Sequence, residues 1–250
     1  MRSRAQPFSE GFDNQAMDRA ARNPYLNPDK LEKGGKMALL PMTALSHLDV
    51  RPDFSASPDI GGAKQIDAAA IASVTDLYRQ MLPPGGAILD LMSGWVSHLP
   101  PEIPYSRVVG VGLNPCELAE NPFLDEWRVQ DLNGDPYLPF GVEEFDGAAM
   151  CVSIQYLTRP CDVIREAGRV LKPGAPLIVT FSNRCRPAPA IGCWCLLDDA
   201  GHLCLIAQHF VQAGNWADIR CLDRTPPGGG DPLYAVIGRS LGPARRSGDD

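Results

Sequence analysis

Residues 88–100 read ILDLMSGWVSHLP. Ile88–Leu91 is apolar except for Asp90, the pattern of a strand buried on both faces that ends in a polar group. Ser93 and Gly94 then let the backbone pass close to whatever lies beyond the strand end. A turn that cradles a pyrophosphate is glycine-rich, so that the backbone can approach closely. Here Met92 and Val96 stand where glycines are expected, and Gly94 is the one glycine of the stretch. The turn therefore does not suit a dinucleotide. It is a loop for a ligand without phosphate, a loop that works in another way, or an ordinary strand end.

Working outward, apolar runs alternate with segments of helical spacing. Before the loop, Ile66, Ala70, Ile71, Val74, Leu77, Tyr78 and Met81 recur at helical intervals, and Pro83, Pro84, Gly85 and Gly86 stop them. Strands are expected at residues 87–92, 107–111, 126–130, 146–153 and 176–182, with a late pair at 218–222 and 233–238. Helices are expected at 161–171 and 200–213. Strands written as near-continuous apolar runs between helices make an α/β fold, a mostly parallel sheet with helices on both faces. Ligands of such folds sit outside the carboxyl ends of the strands. That places interest on 90–94, 112–114, 131–133 and 153–156.

Residues 1–63 differ in character. They are polar and broken by Pro24, Pro28, Gly34, Gly35, Pro52, Pro58, Gly61 and Gly62, and read as an N-terminal extension that is either a lid or a partly disordered tail. The domain proper is expected at 64–239, followed by a disordered tail at 240–250. A deletion of residues 1–63 is expected to leave a folded core that still binds its ligand but turns over poorly; full activity would make the extension only a tail.

The chain has 250 residues and a formal net charge of −7. That length buries a full core, and the acidic balance argues against a sequence-independent grip on nucleic acid. No apolar run reaches the roughly 18 residues of a membrane span, and no apolar stretch follows the basic start, so a cytoplasmic protein with no membrane partner is expected. The eight cysteines form no C-x-x-C pair; Cys193 and Cys195 are C-x-C with no second pair at finger spacing. Reduced, buried thiols and no metal site are expected.

The order of features is specific. Asp90 closes the first strand, Asn114 follows the second, Asp131-Leu132 follow the third, then come LPF at 138–140, EFDGAAMCVSIQYL at 144–157, REAGRVLKPG at 165–174 and APLIVTFSN at 175–183. This succession resembles the class I S-adenosylmethionine-dependent methyltransferases of the type 11 kind over roughly residues 65–183. Within them it is closest to a plant and cyanobacterial group sharing the LDLMS-WVSHLP loop. The resemblance implies a Rossmann-like, mostly parallel seven-stranded sheet with a C-terminal antiparallel strand, and S-adenosyl-L-methionine as cofactor.

It also implies roles, each beside a plainer one. Asp90 holds the cofactor's ammonium or caps a turn. Met92, Ser93 and Gly94 wall the cofactor. Asn114 holds the ribose diol, in place of the family's acidic residue, or is a turn residue before Pro115. Asp131 and Leu132 hold adenine or form a turn. Ser153, Gln155 and Tyr156 lie near the reacting methyl, Tyr156 as a sulfonium wall or as a core aromatic. Ser182, with Asn183, meets the acceptor. His98 is a base, a ligand contact or a structural histidine; His202 and His209 are the other candidate bases of the core. Arg159, Arg184 and Arg186 give the mouth positive character or a solvated rim. The function implied is methyl transfer to a small molecule. Two alternatives keep the cofactor: a cyclase resembling the azetidine-2-carboxylate synthases, which releases methylthioadenosine, and a non-catalytic binding protein.

Overall fold

The computed structural model describes residues 66–184, 194 and 197–243. The expectations for the N-terminal extension, Arg186, Cys185, Cys193, Cys195 and residues 244–250 lie outside the described residues. The elements run α1 (Ala68–Met81), β1 (Ala87–Leu91), β2 (Arg107–Gly112), α2 (Pro115–Glu120), β3 (Glu126–Val129), β4 (Gly147–Cys151), a 3₁₀ turn (Ile154–Tyr156), α3 (Pro160–Val170), β5 (Pro176–Phe181), α4 (Asp199–Ala213), β6 (Trp216–Asp223) and β7 (Tyr234–Ser240).

The strands form one seven-stranded sheet in the order β3-β2-β1-β4-β5-β7-β6. The first five are parallel to their neighbours. β7 then pairs antiparallel with both β5 and β6. The expected α/β architecture is present, and β7 is the one strand that runs against the rest of the sheet.

Side chains alternate across the sheet with a period of two. Ile88, Ala149, Ile178, Ala235 and Ile237 pack under Val74, Leu77 and Tyr78 of α1. Leu89, Leu91, Met150, Leu177 and Val179 face the other way, onto Val163, Ile164 and Ala167 of α3 and Ile206 and Phe210 of α4. Burying a large apolar side chain contributes about 1.5–3 kcal/mol, so these two layers supply the main drive to fold. Asp90, next in register after Ile88, lies on the α1 side.

Caps agree with the sequence. Asp67 accepts from the Ala70 amide at 2.8 Å at the start of α1. Its amide donates to Asp231 at 2.8 Å, and the Asp231 amide donates back to Asp67 at 2.8 Å. The first helix is thereby tied to the β6–β7 connection.

Several boundaries differ from expectation. β4 ends at Cys151, so Gln155 and Tyr156 stand on the 3₁₀ turn. The six-residue helix α2 carries too little periodicity to be read from sequence. β7 runs on through Arg239 to Ser240, which is buried. β6 is longer than expected and carries an irregularity between Ala217 and Arg220, where Asp218 has φ +49°. Among the described residues no helix is long and apolar enough to cross a membrane.

Candidate functional site

The loop after β1 is held by a buried polar knot. Ser93 and Ser97 each donate a hydroxyl to Asp90 Oδ2 at 2.6 Å. Asn121 donates from Nδ2 to the Gly94 carbonyl at 2.8 Å and to Ser97 Oγ at 3.0 Å. The Ser93 amide donates to the Val111 carbonyl at 2.8 Å, stitching the loop to β2. Burial pushes the Asp90 carboxyl up to about 6, and the two serine hydroxyls pull against that shift. Asp90 thus braces the loop from within; Ser97 and Asn121, absent from the sequence-based candidates, complete the brace.

Two features make the loop's course demanding. Met92 and His98 both sit at φ +55°, a region that favours glycine and costs other residues energy. Gly112, the last residue of β2, is approached so closely that a Cβ there would lie 2.3 Å from the Ser93 carbonyl oxygen. No side chain fits at that strand end while the loop keeps this course. Trp95 and Val96 project outward and are exposed. The His98 carbonyl accepts from Thr75 at 3.0 Å, and burial holds its ring below the usual imidazole range.

Asn114 caps α2. Its Oδ1 accepts from the Cys116 amide at 3.0 Å, and its Nδ2 donates to Glu117 Oε1 at 3.0 Å. Glu117 was not a sequence-based candidate, yet its Oε2 is 3.0 Å from where a Cβ on Gly94 would stand. Burial raises this carboxyl, against the Asn114 hydrogen bond. A carboxylate therefore borders the loop from one turn into α2. The signal in the sequence was the spacing N-x-x-E at a helix start.

Asp131 is exposed and accepts from the Asn133 amide at 2.9 Å; Leu132 is buried. Asn133 binds this turn to the end of β4, donating to the Tyr156 carbonyl at 3.0 Å and accepting from the Thr158 amide at 2.7 Å. At the β4 end itself, Val152 has φ +46°, uncommon for a β-branched residue. Ser153 Oγ and Gln155 Oε1 are buried without a hydrogen-bond partner, while Gln155 Nε2 donates to the Val152 carbonyl at 2.9 Å. Tyr156 is buried in the core with Leu132 and Leu138. Ser182 is fully buried, and its Oγ accepts from the Arg184 amide at 3.3 Å.

Of the cationic rim, Arg159 pairs with Asp162 at 2.8 Å and Arg184 with Asp231 at 3.4 Å. His209 lies away from the strand ends, 3.3 Å from Cys161 Sγ between α3 and α4, and burial brings its pKa to about 4. His202 joins an aromatic cluster at the end of β5: Trp194 stacks on it at 3.9 Å, and Phe181 packs edge-on to both. Cys151 is partly buried beside Tyr78, and desolvation pushes its thiol up to about 11. Among the described residues no group of His, Cys, Asp and Glu gathers to hold a metal.

Residues 93–179, which run from the loop almost to the end of β5, match the methyltransferase domain family. That match spans about a third of the chain and lies within the Rossmann-like sheet domain. No curated protein matches the chain. Among solved structures, this domain resembles a chain in the complex of a Haloferax volcanii assigned methyltransferase with the Trm112 methyltransferase activator. There the TM-score is 0.52 at 14% identity, covering 71% of this chain and 91% of that one. It also resembles a Listeria monocytogenes protein assigned as an S-adenosylmethionine-dependent methyltransferase, with TM-score 0.50, 11% identity, and 70% and 99% of the two chains covered. These likenesses are of fold. In this chain the loop, Asn114, Asp131 and Ser153 follow the carboxyl ends of the parallel strands, along one edge of the sheet.

Proposed function

We propose that this protein is an S-adenosylmethionine-dependent methyltransferase acting on a small molecule. The observation that carries the reading is the methyltransferase-domain match over residues 93–179, because that span contains the loop and the ends of β2, β3 and β4. The residues present fit the cofactor. Two buried polar atoms at the β4 end, Ser153 Oγ and Gln155 Oε1, await partners, and a carboxylate stands beside Gly94, which has no Cβ to obstruct a ligand.

S-adenosylmethionine supplies a methyl group already activated on a sulfonium. The chain's part is to bind, align and exclude water. Asp90, ionised above pH about 6, balances the cofactor's positive charge through the loop it braces. Asn114 and Glu117 would hold the ribose hydroxyls, with Glu117 adding the charge assistance that an amide lacks. Asp131 and the Leu132 amide would hold adenine. Gln155 and Ser153 would border the methyl group, Tyr156 would back it, and Ser182 with Asn183 would meet the acceptor.

Calorimetric titration with S-adenosylmethionine and S-adenosylhomocysteine, followed by mass spectrometry of the mixture, tests the reading. Binding, with S-adenosylhomocysteine formed only when an acceptor is added, supports it. Methylthioadenosine released without an acceptor assigns a cyclase instead, and binding without turnover of any acceptor assigns a binding protein. Failure of both ligands to bind overturns it. Glu117→Ala is expected to weaken S-adenosylhomocysteine binding about tenfold, the ~1.5 kcal/mol scale of a charge-assisted hydrogen bond. It is also expected to narrow the preference over the 2′-deoxy analogue. Unchanged affinity and preference would remove Glu117 from the ribose.

A further inference from the structure

A second cluster stands at the carboxyl end of β5, one strand beyond β4 and next to Ser182. Asp199, in the first turn of α4, accepts on Oδ2 from the Tyr234 hydroxyl at 2.9 Å and from Asn183 Nδ2 at 3.2 Å. Its other oxygen, Oδ1, faces Nδ1 of His202 at 4.0 Å. His202 is only 5% exposed. Its Nε2 is 2.8 Å from the Trp194 carbonyl oxygen, which can only accept, so Nε2 carries the hydrogen. Burial holds the ring below the usual imidazole range, so Nδ1 is a bare lone pair, and it has no hydrogen-bond partner.

Two acceptors therefore face each other with no hydrogen between them. A hydroxyl carries one hydrogen and satisfies only one of the two. An amine or ammonium carries two or three and satisfies both. The surroundings favour a cation as well. Trp194 stacks on His202 at an angle of 14°, Phe181 packs edge-on to both at 5.3 and 5.7 Å, and Tyr234 stacks on Phe181 at 5.4 Å. These apolar rings keep the local dielectric low, which strengthens the pull of the Asp199 carboxylate on a positive charge. Asp198 and Asp199 together outweigh the half-positive charge of the α4 N-terminus, and Asp199 retains solvent access, with its side chain 31% exposed.

We propose that the Asp199–His202 pair, walled by Trp194, Phe181 and Tyr234, is a recognition site for the amino group of a small molecule. That the amine is also the methyl acceptor rests on the proposed function; its recognition does not.

Three probes on one skeleton test this in the full chain, with and without S-adenosylhomocysteine: benzylamine, benzyl alcohol and benzoate. Calorimetry is expected to show benzylamine binding at least tenfold tighter than the alcohol and benzoate not binding. Asp199→Asn is expected to abolish that advantage while S-adenosylhomocysteine affinity stays within twofold of the parent. Benzylamine, but not benzyl alcohol, is also expected to move the His202 Nδ1 resonance in the ¹⁵N spectrum of the parent protein, a readout that requires no variant to fold. Equal binding of all three probes, binding of none, an amine advantage that survives Asp199→Asn, or a silent Nδ1 resonance overturns the assignment. Loss of S-adenosylhomocysteine binding by the parent strikes the cofactor reading alone, because the probe series is also run without it.

Discussion

Gly112→Ala is expected to reduce S-adenosylhomocysteine affinity by roughly ten- to a hundredfold and to cost about 1–3 kcal/mol of stability, the scale of overpacking a close contact. The cause is backbone against backbone. The added Cβ would stand 2.3 Å from the Ser93 carbonyl oxygen, and no rotamer change relieves that. The loop must lift from β2, which breaks the hydrogen bond from the Ser93 amide to Val111 and pulls Ser93 away from Asp90. Calorimetry and denaturant unfolding read the two effects separately. A variant that binds like the parent would show that the loop's seat on β2 does not shape the ligand site.

Asp90→Ala is the second large effect. Removing the carboxylate leaves two buried serine hydroxyls without their acceptor, and orphaned buried donors cost about 1–3 kcal/mol each. Cofactor affinity is expected to fall by about the same scale, because the loop loses its brace and the site its negative charge. The pH dependence follows from the carboxyl's position at about 6, raised by burial from 3.8. A cation is favoured by the ionised form, so affinity for S-adenosylmethionine is expected to decline as pH falls through 6 and to flatten in Asp90→Asn. Folding runs the other way: a raised carboxyl binds its proton more tightly when folded, so its contribution is most favourable below pH about 4 and is lost as pH rises through 6. Titrations from pH 5 to 8 on parent and Asp90→Asn decide the matter; parallel curves would exclude Asp90 as the titrating group.

The sheet was legible because its central strands are buried on both faces. Ile88–Leu91 and Leu177–Val179 are written as near-unbroken apolar runs, and α1 repeats its apolar residues at helical intervals. α2 escaped notice because Pro115–Glu120 is barely more than one turn. That brevity matters for the site, since it is the start of α2 that turns Asn114 into a cap and brings Glu117 toward Gly94. The loop residues named from sequence, Asp90, Ser93 and Gly94, do gather, but their partner Asn121 is decided by the chain's return through α2. The Asp199 cluster was beyond reach for a similar reason. Tyr234 meets Asp199 only because β7 comes back antiparallel to β5, and Trp194 meets His202 only once α4 begins at Asp199. A sequence displays periodicity within an element; it does not display which distant side chains the topology brings together.

The reciprocal bonds between Asp67 and Asp231 join positions 164 residues apart, and this bears on how the chain is made. Synthesis proceeds from the N-terminus, so α1 emerges from the ribosome long before the segment that closes its first turn. Sheet order adds to the delay, because β7 inserts between β5 and the edge strand β6 although it is made last. Native assembly must therefore wait for nearly the whole chain, the non-local order that slows folding and prolongs exposure of apolar surface. Nascent chains arrested before residue 231 are expected to leave the α1 amides open to hydrogen exchange, and chains extended past Ser240 to protect them.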